Sequence, residues 1–117
     1  MLHCRKRVKT TSNYIFDTLF INGKNSDVTI IAFEKEWRLH RVYLSQATYF
    51  ASMFSGSWKE TSMDTVEMDF VDNNIDIESL QLAFESLYRD EVVIKPHNVI
   101  NVLATSVFLG MVSTLYC

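Results

Sequence analysis

The chain of 117 residues is long enough for one domain and too short for two independent hydrophobic cores. Apolar residues make up 48% of it, and only three glycines and one proline occur, which excludes a low-complexity chain. Its two cysteines, Cys4 and Cys117, lie at opposite ends, which excludes a disulfide framework and a cysteine zinc site. The apolar runs are far shorter than the roughly 20 residues of a membrane span, so we expect an intracellular, reduced protein without membrane insertion.

The charge is unevenly distributed. The first nine residues contain no acid and four basic side chains, Arg5, Lys6, Arg7 and Lys9. Without these four, 7 of the 11 basic residues remain against 14 acidic ones, so residues 10–117 carry −7. An acidic body repels polyanions, and we therefore expect no direct binding of nucleic acid. We interpret residues 1–11 as a disordered tail, which either solubilises the chain or serves as a nuclear-localisation signal, and residues 12–117 as one domain.

The first half of the domain predicts a helix, a hairpin and a second helical stretch. Segment 11–22 begins with cap-type residues and ends at Asn22-Gly23, which indicates a short helix. Its apolar stripe is Ile15, Phe16, Leu19 and Phe20. Such a helix is marginal alone, so this stripe must pack on another surface. Segments 27–33 and 36–40 predict a hairpin with its turn at 33–36, and a helical period runs from Arg41 to Phe54.

The second half predicts one more strand and two longer helices. Apolar and polar residues alternate strictly in segment 65–70, which indicates a strand with one solvent-exposed face. A helix over roughly 75–88 follows, with its N-cap in 72–74. After a short extended piece at 92–94, Lys95-Pro96 begins the last helix, and Gly110 breaks or caps it. We expect its core face to be Val99, Ile100, Leu103, Ala104, Val107 and Phe108. The resulting class is α+β, with about five to six helices around a small mixed sheet.

Residues for catalysis are scarce. The three histidines, His3, His40 and His97, are far apart in sequence, and no nucleophile, phosphate-loop or metal-ligand motif accompanies them. His40 follows a strand and precedes a helix, where we expect it to bind the backbone. Trp58, in a loop beside glycine and charge, either packs on its own core or anchors a partner. We therefore predict a protein-interaction module, not an enzyme, with no metal and no cofactor.

Three motifs occur in a fixed order along the first half of the chain: DVTI at 27–30, LHRVYL at 39–44 and YFASMF at 49–54. In order, spacing and residue type they resemble the signature of the BTB/POZ domain family, and the resemblance covers residues 12–117. The segments TSNYIF at 11–16 and SMFSGSWKE at 52–60 resemble the germ cell-less branch of that family, and so do LYRD at 87–90 and IKP at 94–96.

The resemblance implies a homodimer in which the first helix packs on the partner subunit, and heterodimers with related BTB proteins are an alternative. This gives a role to the stripe Ile15, Phe16, Leu19 and Phe20. It also implies a charged pocket near the dimer interface, formed by Asp27 and Arg41.

Many BTB proteins are adaptors that bring substrates to cullin-3 ubiquitin ligases and carry a hydrophobic-x-Glu motif after the Y-F-x-x-[LM]-F helix. Trp58-Lys59-Glu60 matches this motif: Trp58 would fill an apolar pocket on cullin-3, Glu60 would supply an oriented charge, and Tyr49 is a further candidate. The resemblance thus implies a cullin-3 adaptor linked to germ-cell development. The alternative is a self-association module that recruits corepressors or transcription factors without a ligase. The implied location is the nucleus, including its envelope or matrix, with the cytoplasm as the alternative.

Overall fold

The computed structural model describes residues 11–55, 64–89 and 92–111. The helices are α1 (Thr11–Ile15), which continues as a π-helix (Phe16–Ile21), α2 (Arg41–Leu44), α3 (Thr48–Ser55), α4 (Ile77–Ser86) and α5 (Val99–Leu109), with a 3₁₀ turn (Pro96–Asn98) before α5. The strands are β1 (Val28–Ala32), β2 (Lys35–Leu39) and β3 (Thr65–Glu67). This is the α+β arrangement of helices around a small sheet that the sequence predicts. The predicted last turn after Gly110 falls largely outside the described residues.

The sheet of the described residues has three strands in the order β2-β1-β3. β1 pairs antiparallel with β2 and parallel with β3, so the sheet is mixed, as predicted. Alternate residues of β1 (Val28, Ile30 and Ala32) are buried, which is the period expected of a strand with one face on the core. The inward positions Val66 and Met68 are buried too, although β3 ends earlier than the predicted strand 65–70.

The turn between β1 and β2 consists of two residues, Phe33 and Glu34, and is shorter than predicted. Both residues have positive φ, 53° and 61°. A two-residue hairpin needs this conformation because its twist then matches the twist of the strands, and asparagine or glycine usually supplies it. Neither residue type is present, so the sequence pattern did not indicate the turn. The Phe33 ring stacks on Phe70 with the centroids 5.5 Å apart, which fixes the turn against the segment after β3.

The hydrophobic core joins the inward face of the sheet to α3 and α4. Phe84 of α4 is fully buried, with its ring 5.2 Å from that of Trp37 on β2 and 6.2 Å from that of Phe50 on α3. Burying a side chain of this size stabilises the fold by about 1.5–3 kcal/mol. These aromatic contacts therefore tie three successive parts of the chain into one core.

The helical stretch predicted from Arg41 to Phe54 is two helices. The chain breaks after α2, and Gln46 Nε2 donates to the carbonyl oxygens of Tyr43 (2.9 Å) and Leu87 (2.8 Å). The Gln46 side chain thus links a carbonyl at the end of α2 to the carbonyl of Leu87 at the end of α4. The N-cap of α4 is also later than predicted. It is Asp76, whose Oδ1 accepts from Ser79 N at 2.8 Å, while Ser79 Oγ accepts from Asp76 N at 3.1 Å.

The predicted core face of α5 is wrong. Five of its six members are exposed, namely Val99, Ile100, Leu103, Val107 and Phe108, and Ala104 is half-buried. The buried side chains are instead Val102, Thr105, Ser106 and Leu109. The physical reason is a polar contact between helices, because Thr105 Oγ1 lies 2.8 Å from Ser79 Oγ of α4 with both residues fully buried. Paired hydroxyls and small side chains allow α5 to approach α4 on this side, which leaves the large apolar side chains outward.

Within the described ranges, no helix combines the length and the hydropathy that a bilayer span requires.

Candidate protein-interaction surfaces

The first helix packs its predicted stripe on its own domain. Phe20 is only 7% exposed, and its ring lies 5.3 Å from that of Phe16 and 5.2 Å from that of Tyr88. The Arg89 guanidinium lies 3.9 Å from the centroid of Phe16, a cation–π contact. Ile15 and Leu19 are half-buried against the same core.

Two further apolar residues of this helix, Tyr14 and Ile21, are exposed at 53% and 59%. Tyr14 belongs to the α-helical part, and Ile21 is the last residue of the π-helix, where Asn22 N donates to Asp17 O at 3.2 Å. The first helix therefore offers a partner Tyr14, Ile21 and the edges of its half-buried side chains.

Asp27 and Arg41, the predicted charged pair, lie together at the start of β1 and of α2. Arg41 N donates to Asp27 Oδ1 at 2.8 Å, and Arg41 Nη1 donates to the Asp27 carbonyl oxygen at 2.9 Å. The guanidinium carbon also lies 5.2 Å from the centroid of Phe54. The carboxylate thus caps the first turn of α2 while the guanidinium binds the backbone of the strand. These contacts fix the position of α2 relative to the sheet.

His40 is buried at the junction of β2 and α2 and binds the backbone, as we expected. Its Nε2 lies 2.6 Å from the Lys24 carbonyl oxygen, which can only accept, so Nε2 carries the proton and Nδ1 accepts. Tyr88 Oη lies 2.8 Å from that Nδ1 and accepts from His40 N at 2.9 Å. Burial raises the pKa of Tyr88 well above its ordinary value, which keeps the hydroxyl protonated as a donor. This network is structural, since it joins the β2–α2 junction to Lys24 and to Tyr88.

The exposed face of α5 and the start of α3 form a continuous apolar surface, which we call the α3–α5 surface and define as Tyr49, Val99, Ile100, Leu103, Val107 and Phe108. Phe108 connects the α5 part of this surface to the α3 part, since its ring lies 5.1 Å from the ring of Tyr49. On its other side the Phe108 ring lies 5.0 Å from that of Phe70. Ile100 alone is 66% exposed. α5 contains no charged residue. Exposed apolar patches of this kind mark sites of interaction.

Several predicted site residues lie outside the described residues: Trp58, Lys59 and Glu60 of the cullin motif, and Arg5, Lys6, Arg7 and Lys9 of the basic stretch. Their roles stay predictions. Thr11, the last residue of the predicted tail, begins α1. In the part of the chain that is described, no three His, Cys, Asp or Glu side chains cluster as metal ligands would.

The match to a family model decides the family. The model of the BTB/POZ domain matches residues 16–115. The chain belongs to the BTB/POZ domain family. This confirms the resemblance that the three motifs indicated. BTB domains are typically non-enzymatic modules of protein–protein interaction, and the exposed apolar side chains of α5 agree with an interaction role.

The relatives of this BTB domain include germ cell-less proteins. It is 58% identical over 107 residues to germ cell-less protein-like 1 of Mus musculus, covering 92% of this chain and 20% of the relative. The human protein of the same name is 57% identical over 107 residues, with 92% and 21% covered. Protein germ cell-less of Drosophila melanogaster is 44% identical over 102 residues, with 87% and 18% covered. The BTB domain therefore spans about a fifth of the length of these relatives, and the similarity confirms the predicted germ cell-less branch.

Proposed function

We propose that this BTB domain is the adaptor domain of a cullin-3 ubiquitin ligase, and that it binds cullin-3 through the α3–α5 surface together with Trp58–Glu60. The observation that carries the proposal is the exposed face of α5, which is apolar, uncharged and joined to Tyr49 through Phe108. A face of this kind needs an apolar partner, because burial of its side chains is its only large source of binding free energy.

The cullin motif begins close to this surface along the chain. Trp58 follows Ser55, the last residue of α3, by three positions, so their Cα atoms are at most about 11 Å apart. Tyr49 lies six positions before Ser55 on the same helix, a rise of about 9 Å. A single partner can therefore contact Tyr49 and Trp58 together. Large aromatic side chains of this kind dominate the binding energy of interfaces.

Titration calorimetry against the N-terminal domain of cullin-3 tests the proposal. The wild-type domain should bind, and Trp58→Ala should raise the Kd by about 30-fold or more, the factor that corresponds to a hot-spot residue. Circular dichroism of the variant shows that it remains folded. An unchanged Kd in folded Trp58→Ala would contradict the role of the motif, and no binding by the wild type would contradict the adaptor function.

We further propose that the domain homodimerises through its first helix. Exposed Tyr14 and Ile21 support this, since a helix with apolar side chains on both its inner and outer faces favours burial against a second surface. Tyr14→Asp should lower the mass measured by sedimentation equilibrium from dimer to monomer. Val71→Asp is the matched control, because Val71 is 99% exposed in a loop and its substitution should leave the dimer intact. A dimer that persists in Tyr14→Asp excludes this helix as the interface.

The second candidate function is recruitment of a corepressor without a ligase. A groove of about 580 Å³ beside the first helix favours it. Ile15, Val42, Tyr43 and Leu87 supply its apolar lining, and the exposed side chain of Val42 has no role in the core. A folded wild-type domain that dimerises but does not bind cullin-3 would favour this function.

Nuclear location, proposed from the basic stretch, is tested by imaging a fluorescent fusion with Arg5, Lys6 and Arg7 replaced by alanine.

A further inference from the structure

Ser12 and Arg89 line the groove beside the first helix. Ser12 is half-buried in the first turn of α1, and Arg89 follows the end of α4 by three positions. The groove has a volume of about 580 Å³. Among the described residues that line it, Arg89 alone carries a charge, and Ile15, Val42 and Leu87 supply apolar walls. A cation on such a wall attracts an anion more strongly than one in open solvent, because less water screens it.

Phe16 connects Ser12 to Arg89. Residues 12 and 16 are about one turn apart on the first helix, so their Cβ atoms are roughly 6 Å apart. The Arg89 guanidinium carbon lies 3.9 Å from the centroid of the Phe16 ring. The guanidinium is therefore about one helical turn from the Ser12 side chain, within reach of a phosphate on Ser12 Oγ.

The residues that precede Ser12 are typical of a kinase substrate. Lys9 and Arg7 stand three and five positions before it, and of the serines in the sequence only Ser12 has basic residues at both positions. Kinases with an acidic substrate cleft select hydroxyls that follow basic residues, because opposite charges draw the substrate in and orient it. Thr10 has Arg7 and Arg5 at the same spacing but lies outside the described residues, so it is the competing site in the test.

We propose that Ser12 is a phosphorylation site and that its phosphate binds Arg89 in the groove beside the first helix. In the transfer, Ser12 Oγ attacks the γ-phosphorus of a nucleoside triphosphate and the bond from that phosphorus to its bridging oxygen breaks. The nucleoside diphosphate leaves, and the hydroxyl proton passes to the carboxylate base of the kinase. The product carries about −1.5 to −2 charges at pH 7 and three acceptor oxygens. A guanidinium binds such a group through two parallel N–H···O bonds.

Glu85 is the group that competes for Arg89. Arg89 Nη1 lies 3.6 Å from Glu85 Oε1, and the Arg89 side chain is 34% exposed. Partly exposed pairs of this kind contribute little to stability, so the guanidinium can turn to a phosphate at small cost. Glu85 Oε2 also accepts from Gln81 Nε2 at 3.1 Å, so Glu85 keeps a partner when Arg89 moves.

The site is separate from the contacts of the proposed function. Ser12 does not belong to the α3–α5 surface, so the phosphorylated chain should bind cullin-3 with the Kd of the unmodified chain. Tyr14, proposed for the homodimer, follows Ser12 by two positions and therefore points about 200° away around the helix. The phosphate instead makes anionic the groove that the second candidate function uses.

Mass spectrometry tests whether Ser12 is modified. The full chain is expressed in cultured animal cells with serine/threonine phosphatases inhibited, and the tryptic fragment 10–24 is sequenced. Phosphate should be found on Ser12 in the wild type, and its stoichiometry should fall several-fold when Arg7 and Lys9 are both replaced by alanine. An unmodified Ser12, or phosphate on Thr10 alone, would overturn the proposal.

Phosphoserine incorporated at position 12 during synthesis tests the contact with Arg89 without any kinase. The Tm of the wild-type chain should rise by about 4 °C or more on modification. The rise should be lost in Arg89→Gln and partly kept in Arg89→Lys, which retains the charge but not the paired N–H groups. Each variant is compared with its own unmodified form, so its stability cancels. An equal rise in the wild type and Arg89→Gln would show that the phosphate binds elsewhere, such as to the basic stretch, and would overturn the contact.

Discussion

Replacement of Tyr88 by phenylalanine tests the network that holds the junction of β2 and α2. The substitution keeps the ring, which contacts Phe20 and stacks on Tyr43 with centroids 4.6 Å apart, and removes only the hydroxyl. That hydroxyl accepts from His40 N at 2.9 Å and donates to His40 Nδ1 at 2.8 Å. His40 is 6% exposed, so solvent cannot readily replace either bond.

The expected loss in the free energy of unfolding follows from those two hydrogen bonds. A buried N–H left without an acceptor costs about 1–3 kcal/mol, and loss of the bond to Nδ1 adds about 1 kcal/mol. Tyr88→Phe should therefore lower the free energy of unfolding by about 2–4 kcal/mol, a large share of the 5–15 kcal/mol typical of a domain. Since about 1 kcal/mol shifts the Tm of a small domain by 4–8 °C, the Tm should fall by roughly 10–25 °C.

Urea denaturation at neutral pH measures this change, with an unchanged m-value showing that the transition remains two-state. Tyr43→Phe is the matched control, because among the described residues no hydrogen bond to the Tyr43 hydroxyl is found, and its loss should cost less than about 0.5 kcal/mol. A loss below 1 kcal/mol in Tyr88→Phe, or equal losses in both variants, would refute the network.

Three further predictions concern stability. Burial raises the pKa of Tyr88 above its ordinary value of 10.0, so Tyr88 ionises in the unfolded chain at a lower pH than in the folded one. The stabilisation by the protonated Tyr88 hydroxyl is therefore complete below about pH 10 and is lost as the pH rises above it. Urea midpoints measured between pH 9 and 12 should fall in the wild type and fall less in Tyr88→Phe. Gly110→Ala should lower the free energy of unfolding, measured by thermal denaturation, by about 2–3 kcal/mol, because φ is +74° and the new Cβ would lie 2.7 Å from Thr48 Cβ. A decrease below about 1 kcal/mol would contradict this prediction. Asp76→Ala removes the acceptor for Ser79 N and should cost about 1 kcal/mol, whereas Asp76→Asn should cost less.

The sequence predicts most of the fold because its local patterns are strong. The β-branched run 27–33, the alternation at 65–70 and the caps Asn22-Gly23 and Gly110 each correspond to an element or an end in the structure. The three motifs also identified the family before any contact was known. These signals are local in the chain, so they need no knowledge of tertiary packing.

The failures have a common cause, since each depends on contacts between distant residues. α5 is apolar on nearly all sides, and periodicity alone cannot choose which side faces the core. The choice depends on Thr105 meeting Ser79 of α4, which are 26 positions apart. The turn after α2 likewise includes a contact between distant residues, since Gln46 Nε2 donates to the carbonyl oxygen of Leu87, 41 positions further along the chain.

The exposure of Tyr14 was also missed, because it follows from the packing of the helix and not from its residue type.

The most direct test of the proposed function measures cullin-3 binding by a variant of the α3–α5 surface in which Trp58–Glu60 is unchanged in sequence. Leu103→Asp places a charge in the centre of the exposed face of α5, and Val71→Asp places the same charge at a fully exposed position elsewhere. In titration calorimetry against the N-terminal domain of cullin-3, Leu103→Asp should raise the Kd at least about tenfold, while Val71→Asp should bind like the wild type. Equal Kd values for folded Leu103→Asp and the wild type would contradict the α3–α5 surface as the cullin-3 site.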